Sequence, residues 1–300
     1  MEAGLSKPLI SVVMPVLNGA ATISFALASL RAQTCEAWEC VIVDDGSTDR
    51  SQDVALAIYD SRIRYYRLDR NHGRGYARHY GLTIAQGRYI TFLDADDWIY
   101  PSKFSEQVEL LEGEPGLAIV STGLAISDAG DRLVGVRQSD SGAPVIRPCF
   151  RQIAMPPLAF APSMIAADLA RATGFDSTFP ISEDVDFLLR ALYGNPYAVL
   201  PKPLYVYREP NSVTPEKVNS ALDYCCVMFQ KQFRQHPIES AIQIAKARAK
   251  QLVYSHAANF GFWNYIIQRR SRVPDANDQR EYQDAWQAVS ALAAAHAVMS

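Results

Sequence analysis

Carboxylates crowd the end of one hydrophobic segment of this sequence. In "YITFLDADDWIYP", residues 89–101, the aspartates Asp94, Asp96 and Asp97 follow an apolar run. Like charges at this spacing repel one another unless a positive charge lies among them. A helix cap uses one oxygen acceptor, whereas three carboxylates offer about a dozen lone pairs. Mg²⁺ or Mn²⁺, held by one or two carboxylates and by substrate phosphate oxygens, would use this surplus.

Two more acidic clusters have an ordinary structural explanation when each is taken alone. The stretch "VIVDDGSTDRS" contains Asp44 and Asp45, and "SEDVDFLLR" contains Glu183, Asp184 and Asp186. Asp, Gly, Ser and Thr after a strand make a turn and cap the next helix. Carboxylates in a first helical turn also complement the helix dipole.

Basic residues accompany glycines in "NHGRGYARHYG", which contains Arg70, Arg74 and Arg78. Arginines near a carboxylate cluster fit a site for phosphate groups. The glycines do not form the GxGxxG motif, and no GxxxxGK[ST] loop occurs in the sequence. A helix start with surface arginines is the alternative interpretation.

The first hundred residues alternate between strand and helix patterns. Apolar, β-branched segments occupy residues 9–17, 38–44, 63–68 and 88–94. Stretches with helical spacing separate them. This alternation predicts an α/β fold with a Rossmann-like, mostly parallel sheet flanked by helices. Ligands bind beyond the carboxyl ends of such strands, where the acidic clusters at Asp44 and Asp94 are expected to lie.

The remaining chain changes character twice. Residues 117–207 mix strands with a helix that begins near "SEDVDFLLRALYG", and from about 215 onward the pattern is almost entirely helical. One continuous helix is predicted through residues 239–270, and an alanine-rich helix ends the chain.

Composition limits the classes of function. The 300 residues are 49% hydrophobic and carry a formal net charge of −3, which gives no global electrostatic case for nucleic acid. Five cysteines without CxxC spacing favour a reducing cytoplasm over a disulfide framework. The amino terminus lacks a basic region before its apolar stretch, so the stretch is predicted to be a first strand, and no segment is predicted to span a bilayer.

Six motifs in order carry a resemblance to a known family. They are "SVVMPVLN", "VIVDDGSTDRS", "NHGRGYARHYGL", "YITFLDADDWIYP", "SEDVDFLLR" and "VYREPNSVT". In this order the sequence resembles the inverting family 2 glycosyltransferases, which have the GT-A fold. The resemblance covers residues 8–214, with a nucleotide-binding half (8–100) and an acceptor-binding half (101–214). Residues 215–300 lie outside it as a C-terminal helical extension.

The resemblance implies roles for residues of the nucleotide-binding half. Pro15 and Val16 would form the backbone wall beside the nucleotide base. Asp45, preceded by Asp44, matches the aspartate that accepts a hydrogen bond from uracil. Arg78 matches the family arginine near the donor.

The same resemblance implies the catalytic and metal-binding residues. Asp94 and Asp96 match the D-x-D pair, with Asp96 as the direct ligand of Mn²⁺ or Mg²⁺ and Asp97 as a second candidate. Asp184 matches the catalytic base, with Glu183 and Asp186 next in line. Arg208 matches an arginine that closes over the diphosphate.

Two positions depart from the family pattern. His79 stands where the family usually has asparagine. Pro210 stands where many relatives have a histidine that serves the metal or the diphosphate, so water or the diphosphate would complete the metal's coordination.

The implied reaction is transfer of a sugar from a nucleotide-diphosphate sugar to a hydroxyl of a glycan or lipid-linked acceptor, with UDP as the expected carrier. One alternative is a non-catalytic protein that binds a sugar nucleotide. A second is a sugar-1-phosphate nucleotidyltransferase, which would be expected to have a lysine after strand one. A third is a Rossmann oxidoreductase, but its glycine fingerprint is missing from this sequence. The resemblance suggests polysaccharide, lipopolysaccharide or glycoprotein assembly in a bacterium, in the cytoplasm or at the inner face of the membrane. Basic and aromatic residues in the extension favour a packed helix pair, a peripheral membrane contact or a homodimer through the same helices.

Overall fold

The computed structural model describes residues 8–137, 142–208 and 213–297, in which ten strands and ten helices are formed. The strands are β1 (Ile10–Val16), β2 (Trp38–Asp44), β3 (Ile63–Arg67), β4 (Tyr89–Phe92), β5 (Trp98–Ile99), β6 (Ile119–Ser127), β7 (Leu133–Arg137), β8 (Val145–Arg147), β9 (Met164–Ala166) and β10 (Tyr197–Arg208). The helices are α1 (Ile23–Arg31), α2 (Ser51–Leu56), α3 (Arg74–Ile84), α4 (Lys103–Gly113), α5 (Ala167–Thr173), α6 (Glu183–Leu192), α7 (Pro215–Gln232), α8 (Pro237–Asn259), α9 (Trp263–Gln268) and α10 (Ala276–Ala297).

The strands form one sheet in the order β3-β2-β1-β4-β9-β6-β10-β5, with β7 beside β6 and β8 beside β10. The strands β3, β2, β1 and β4 are parallel, as are β6 and β10. Because β9 is antiparallel to both β4 and β6, these two groups point the same way. The prediction of a mostly parallel sheet flanked by helices is confirmed.

One strand of the sheet was missed by the sequence analysis. The three-residue strand β9 lies between β4 and β6 and joins the two parallel groups. A period-2 pattern cannot be recognised over three residues, so the sequence did not indicate a strand at this position.

Two hydrophobic cores lie on opposite faces of the sheet. Successive side chains of a strand point to opposite faces, so Val12 of β1 belongs to one core and Val13 to the other. Helices α1, α4 and α10 cover the first face, while α5, α6 and α7 cover the second. The runs "SVVMPV" and "YITF" are mostly apolar and do not alternate between apolar and polar residues, because both faces of these strands are buried.

The C-terminal helices pack against the domain that precedes them. Tyr282 and Val289 of α10 belong to the core around α1, and Met228 and Phe229 of α7 belong to the other core. The continuous helix predicted over 239–270 is wrong, because Gly261 has a left-handed φ of 76° and separates α8 from α9. No helix within the described ranges is long and apolar enough to cross a membrane.

A lysine is buried beneath the sheet. Lys103 of α4 donates through Nζ to Gln107 Oε1 at 2.8 Å and to Thr91 Oγ1 at 3.2 Å, and no carboxylate accepts from it among the described residues. Burial lowers the pKa of this lysine to about 7.

We therefore expect Lys103 to make stability depend on pH. Between the lowered pKa of about 7 and the ordinary lysine pKa, the unfolded chain holds a proton that the folded chain lacks. The free energy of unfolding should then rise with pH by up to about 1.4 kcal/mol per pH unit in this window.

The substitution Lys103→Met removes the titrating group and should flatten that slope. Chemical denaturation of both proteins between neutral and alkaline pH measures it. If the free energy of unfolding changes with pH in the same way in both proteins, the pKa of Lys103 is not lowered by folding.

Candidate active site

A cavity of about 490 Å³ opens at the carboxyl ends of the parallel strands. Its lining includes five of the residues predicted from the sequence: Pro15, Val16, Asp45, Asp94 and Asp96. The sheet register brings them together, because Val16 is paired with Asp44 at the ends of β1 and β2. Strand β4 is the other neighbour of β1 and ends two residues before Asp94.

The two aspartates that follow β2 have different positions. Asp44 is buried, and its carboxylate accepts from the Ser47 N–H at 2.7 Å and the Tyr65 hydroxyl at 2.5 Å, which fixes the turn after the strand. Asp45 lies on the cavity wall and accepts from the N–H groups of His72 at 2.7 Å and Gly73 at 2.8 Å. The turn requires a glycine directly after these aspartates, since Gly46 has a φ of 79° and a Cβ there would lie 2.6 Å from the Arg70 carbonyl carbon.

Arg78 is buried and bridges two parts of the site. Its guanidinium donates to Asp94 Oδ1 at 2.7 Å and to Glu183 Oε1 at 2.8 Å, and it lies over the Phe160 ring at 4.9 Å. Glu183 is fully buried and also accepts from Arg74 Nε at 2.7 Å. One ion-pair network therefore connects α3, α6 and the segment after β4.

The charges of this network set the ionisation of the D-x-D pair. Burial would raise the pKa of Asp94, but Arg78 and Arg74 outweigh it and hold that pKa below its ordinary value. Asp96 has an exposed side chain in the cavity, and its pKa is raised by partial desolvation and by the Asp94 carboxylate. Asp96 accepts no hydrogen bond from another residue in the described part of the chain.

Asp97 is turned into the protein and away from the cavity lining. It is buried, and its two oxygens accept from the Tyr205 hydroxyl at 2.7 Å and the Arg208 N–H at 2.9 Å. Burial and the neighbouring Asp96 and Asp94 charges raise the pKa of Asp97 well above its usual range. These two contacts hold the loop against β10, and Asp97 is not part of the cavity lining, so its metal role stays a prediction.

The side chain of Arg208, which was predicted to close over the diphosphate, contacts Asp131 and Phe25 in this structure. Its guanidinium donates to Asp131 Oδ1 at 2.7 Å and stacks over Phe25 at 4.7 Å, whereas Tyr207 lines the cavity. Arg208 is not part of the cavity lining, so its contact with a diphosphate stays a prediction. Pro210, the departure noted in the same motif, lies outside the described residues.

Asp184 lies in the first turn of α6, beside the network and outside the cavity lining. It is half-buried, and one carboxylate oxygen accepts from the Val185 N–H at 2.8 Å. Of its acidic neighbours, Glu183 is held by Arg74 and Arg78, while Asp186 is buried against Arg190. Asp184 is thus the acidic side chain of this turn that has no ion-pair partner among the described residues.

Several lining residues were not identified from the sequence as site residues. They are Leu17, Asn18, Gly19, Thr22, Asn71, Gly73, Ala95, Pro180 and Tyr207. Asn18 has a φ of 55°, and its side-chain oxygen accepts from the Thr48 N–H at 2.9 Å, which joins the loops after β1 and β2. Asparagine and glycine after a strand signal a turn, but not that the turn faces a ligand. His79 accepts from the Phe175 N–H at 3.3 Å and lies outside the lining.

The carboxylates do not form a complete metal cage. No group of three or more His, Cys, Asp or Glu side chains with metal-binding geometry occurs in residues 8–137, 142–208 and 213–297. Mg²⁺ and Mn²⁺ need no such cage when a substrate supplies phosphate oxygens. The exposed Asp96 carboxylate beside Asp94 fits a cation held in that way.

The chain is similar to known proteins in sequence and in fold. Residues 11–157 match the family model described as glycosyl transferase family 2. An uncharacterized glycosyltransferase of Haemophilus influenzae is 38% identical over 109 residues, which cover 36% of this chain and 44% of that protein. An uncharacterized glycosyltransferase of Rickettsia typhi is 37% identical over 111 residues, which cover 37% of this chain and 34% of that protein. The chain thus spans less than half the length of these curated relatives.

Solved structures share the fold over nearly the whole chain. The S. aureus protein TarS (residues 1–349), in complex with UDP-GlcNAc, has a TM-score of 0.59 and 20% identity over 94% of this chain and 83% of that chain. The mannosyltransferase PcManGT of Pyrobaculum calidifontis, in complex with GDP-Man and Mn²⁺, has a TM-score of 0.57 and 17% identity. The match covers 98% of this chain and 87% of that chain. These likenesses establish the GT-A fold.

The ion-pair network yields a stability prediction. The substitution Glu183→Gln removes the carboxylate that faces two arginines, so Arg78 keeps only the partly exposed Asp94 as a counter-charge. We expect the free energy of unfolding to fall by about 1–3 kcal/mol, measured by chemical denaturation.

A matched control is Glu106→Gln, which breaks an ion pair to the exposed Lys202. Surface pairs contribute at most about 1 kcal/mol, so this variant should remain close to the unsubstituted protein. Equal losses in the two variants would contradict the structural role of Glu183.

Proposed function

Because residues 11–157 match the family model of glycosyl transferase family 2, we propose that this chain transfers a sugar from a nucleotide-diphosphate sugar to an acceptor hydroxyl. The observation that carries the proposal is the position of Asp45, Asp94, Asp96 and Arg74 on the wall of one cavity. The solved structures of the same fold contain UDP-GlcNAc, or GDP-Man with Mn²⁺, which supports a nucleotide-sugar donor and a divalent cation.

The nucleotide base binds at the end formed by Pro15, Val16 and Asp45. Both oxygens of Asp45 already accept one backbone N–H each, and each retains a second lone pair for a donor on the base. A uracil N–H is such a donor. UDP is therefore the carrier we propose.

The diphosphate binds toward Arg74 and the D-x-D pair. Although burial works against it, the carboxylates of Glu183, Asp94 and Asp184 raise the pKa of Arg74, so this lining guanidinium stays charged. Asp96 would hold a divalent cation whose charge stabilises the departing diphosphate. Arg78 acts indirectly, because it holds Asp94 in place and does not reach the cavity lining.

The acceptor hydroxyl approaches from the side of α6. Asp184, the base candidate, is the carboxylate of this turn without an arginine partner among the described residues, and it takes the proton as the hydroxyl oxygen attacks the anomeric carbon. The bond from that carbon to the diphosphate breaks in the same displacement, which inverts the anomeric configuration. The acceptor we propose is a glycan or a lipid-linked glycan.

The metal proposal is tested by the binding of UDP. Mn²⁺ should strengthen UDP binding, and Asp96→Ala should weaken binding in the presence of Mn²⁺ by about tenfold or more, or about 1.4 kcal/mol. Isothermal titration calorimetry measures both affinities, with and without Mn²⁺.

Asp53→Ala is the control, because Asp53 is an exposed aspartate on α2 that pairs with Arg50 on the surface. UDP affinity that does not respond to Mn²⁺ would contradict the metal proposal. The same titration with GDP tests the base assignment, and GDP binding equal to that of UDP would move the donor to another nucleotide.

The base proposal is tested by Asp184→Asn. Asparagine keeps the shape of the side chain but cannot take the acceptor proton, so turnover should fall by about 10²–10⁴-fold while UDP affinity stays unchanged. Turnover is measured as UDP released from the UDP-sugar that raises the melting temperature most.

The matched control is Asp168→Asn, in the first turn of α5, where the aspartate is fully exposed. If Asp184 only complements a helix dipole, the two variants should behave alike. An Asp184→Asn protein that keeps more than about a tenth of the turnover would exclude Asp184 as the base.

A further inference from the structure

Positive charge is concentrated in one segment of a chain whose net charge is −3. No aspartate or glutamate occurs in residues 240–274, which contain six basic residues: Lys246, Arg248, Lys250, Arg269, Arg270 and Arg272. All six are exposed. Among the described residues, no carboxylate pairs with Lys246, Lys250, Arg269 or Arg270. The uncompensated cations favour an anionic partner.

Helix α8 presents an apolar stripe on its outer side. Its inner side packs on α7 through contacts such as Gln251 Nε2 to the Asn219 carbonyl at 2.9 Å. The residues of the outer side follow one another at intervals of three or four, so their side chains lie on one face of the helix. The apolar members are Ile238, Ile242, Ala245, Ala249 and Leu252, and the stripe continues through His256 to Phe260, just beyond the end of α8; all are exposed. Ile238 is 73% exposed and Leu252 is 64% exposed. Several exposed apolar side chains on one face, unlike a single one, indicate an interaction surface.

Aromatic side chains extend this stripe at the junction of α8 and α9. The left-handed Gly261 turns the chain, and Phe260 and Phe262 on either side of it are 72% and 62% exposed. Tyr265 is also exposed and carries the Arg269 guanidinium over its ring at 4.7 Å. We call the outer stripe of α8 together with Phe262, Tyr265, Arg269 and Arg270 the basic-aromatic face.

We propose that the basic-aromatic face binds the surface of a bilayer that contains anionic phospholipid. The phenylalanines enter the boundary between headgroups and acyl chains, and the lysines and arginines contact the lipid phosphates. A second copy of the chain is the weaker alternative, because pairing two such faces would bring like charges together. From residue 240 to residue 274 the apolar side chains are bordered by cations and by no acidic residue, and the exposed Glu239 lies at the start of α8. Apolar side chains flanked by cations are the pattern of an interfacial helix.

The face is connected to the strand edge that carries the cavity. Trp263 of α9 donates its indole N–H to the Val213 carbonyl at 3.2 Å, and Val213 follows the end of β10. Arg272 pairs its backbone with Val136 of β7 at 2.9 Å and 3.0 Å. Bilayer binding would therefore hold this edge near the membrane. The inference stands on surface chemistry alone and does not rest on the proposed transfer.

Co-sedimentation of the full chain with vesicles tests the proposal without any measurement of activity. Vesicles of phosphatidylcholine alone are compared with equimolar phosphatidylcholine and phosphatidylglycerol. We expect binding to the anionic vesicles only, with a partition coefficient that falls as salt is added. The pair Arg269→Ala and Arg270→Ala should lower it by about fivefold per residue. The pair Phe260→Ser and Phe262→Ser should lower it by about tenfold or more.

Tyr59→Ser is the matched control, since Tyr59 is an exposed aromatic residue in the segment between α2 and β3 and should not affect binding. Unchanged melting temperatures confirm that the variants are folded. The proposal is overturned if the chain does not bind anionic vesicles, or if the phenylalanine variant binds as well as the unsubstituted chain. It is also overturned if sedimentation velocity without lipid shows a dimer that the phenylalanine variant abolishes, because the face would then join two copies.

Discussion

The buried guanidinium of Arg78 is the contact on which the arrangement of the site depends. It is the point where α3, the segment after β4 and the first turn of α6 meet, through Asp94 on one side and Glu183 on the other. A buried arginine is tolerated only when its charge is compensated, so the presence of Arg78 requires both carboxylates to be nearby. This requirement fixes the position of α6 relative to α3 and to the segment after β4. A hydrophobic core alone would not fix it, because apolar packing has no directional preference.

The acidic residues of the edge divide into two groups that the sequence does not distinguish. Asp44, Asp97 and Glu183 are buried and hold backbone or arginine groups in place, whereas Asp94 and Asp96 face the cavity. Adjacent positions alternate between the groups, because the chain turns sharply after a strand and consecutive side chains point in opposite directions. The charge surplus at residues 94–97 is thus explained partly by structure and partly by the ligand that the cavity is proposed to take.

The sequence predicted the parallel strands and the loops that line the cavity, because both produce strong local patterns. It identified Pro15, Asp45 and Asp96 as lining residues through the resemblance. It did not predict that Arg208 turns to Asp131 or that Asp97 binds β10, because those partners are distant in sequence and are set by tertiary packing. The break at Gly261 was also missed, since a single glycine within a helical pattern is compatible with either outcome.

The attachment of Asp97 to β10 has a consequence for the order in which the protein is completed on the ribosome. The loop that follows β4 is synthesised early, yet its partners Tyr205 and the Arg208 N–H are 108 and 111 residues further along the chain. Parallel pairing of β1, β2, β3 and β4 involves residues that emerge first, and domains generally begin to fold from that end. A nascent chain that ends before β10 therefore has most of the lining residues but an unanchored acidic loop. The cavity is among the last features to form, although most of its lining residues are translated first.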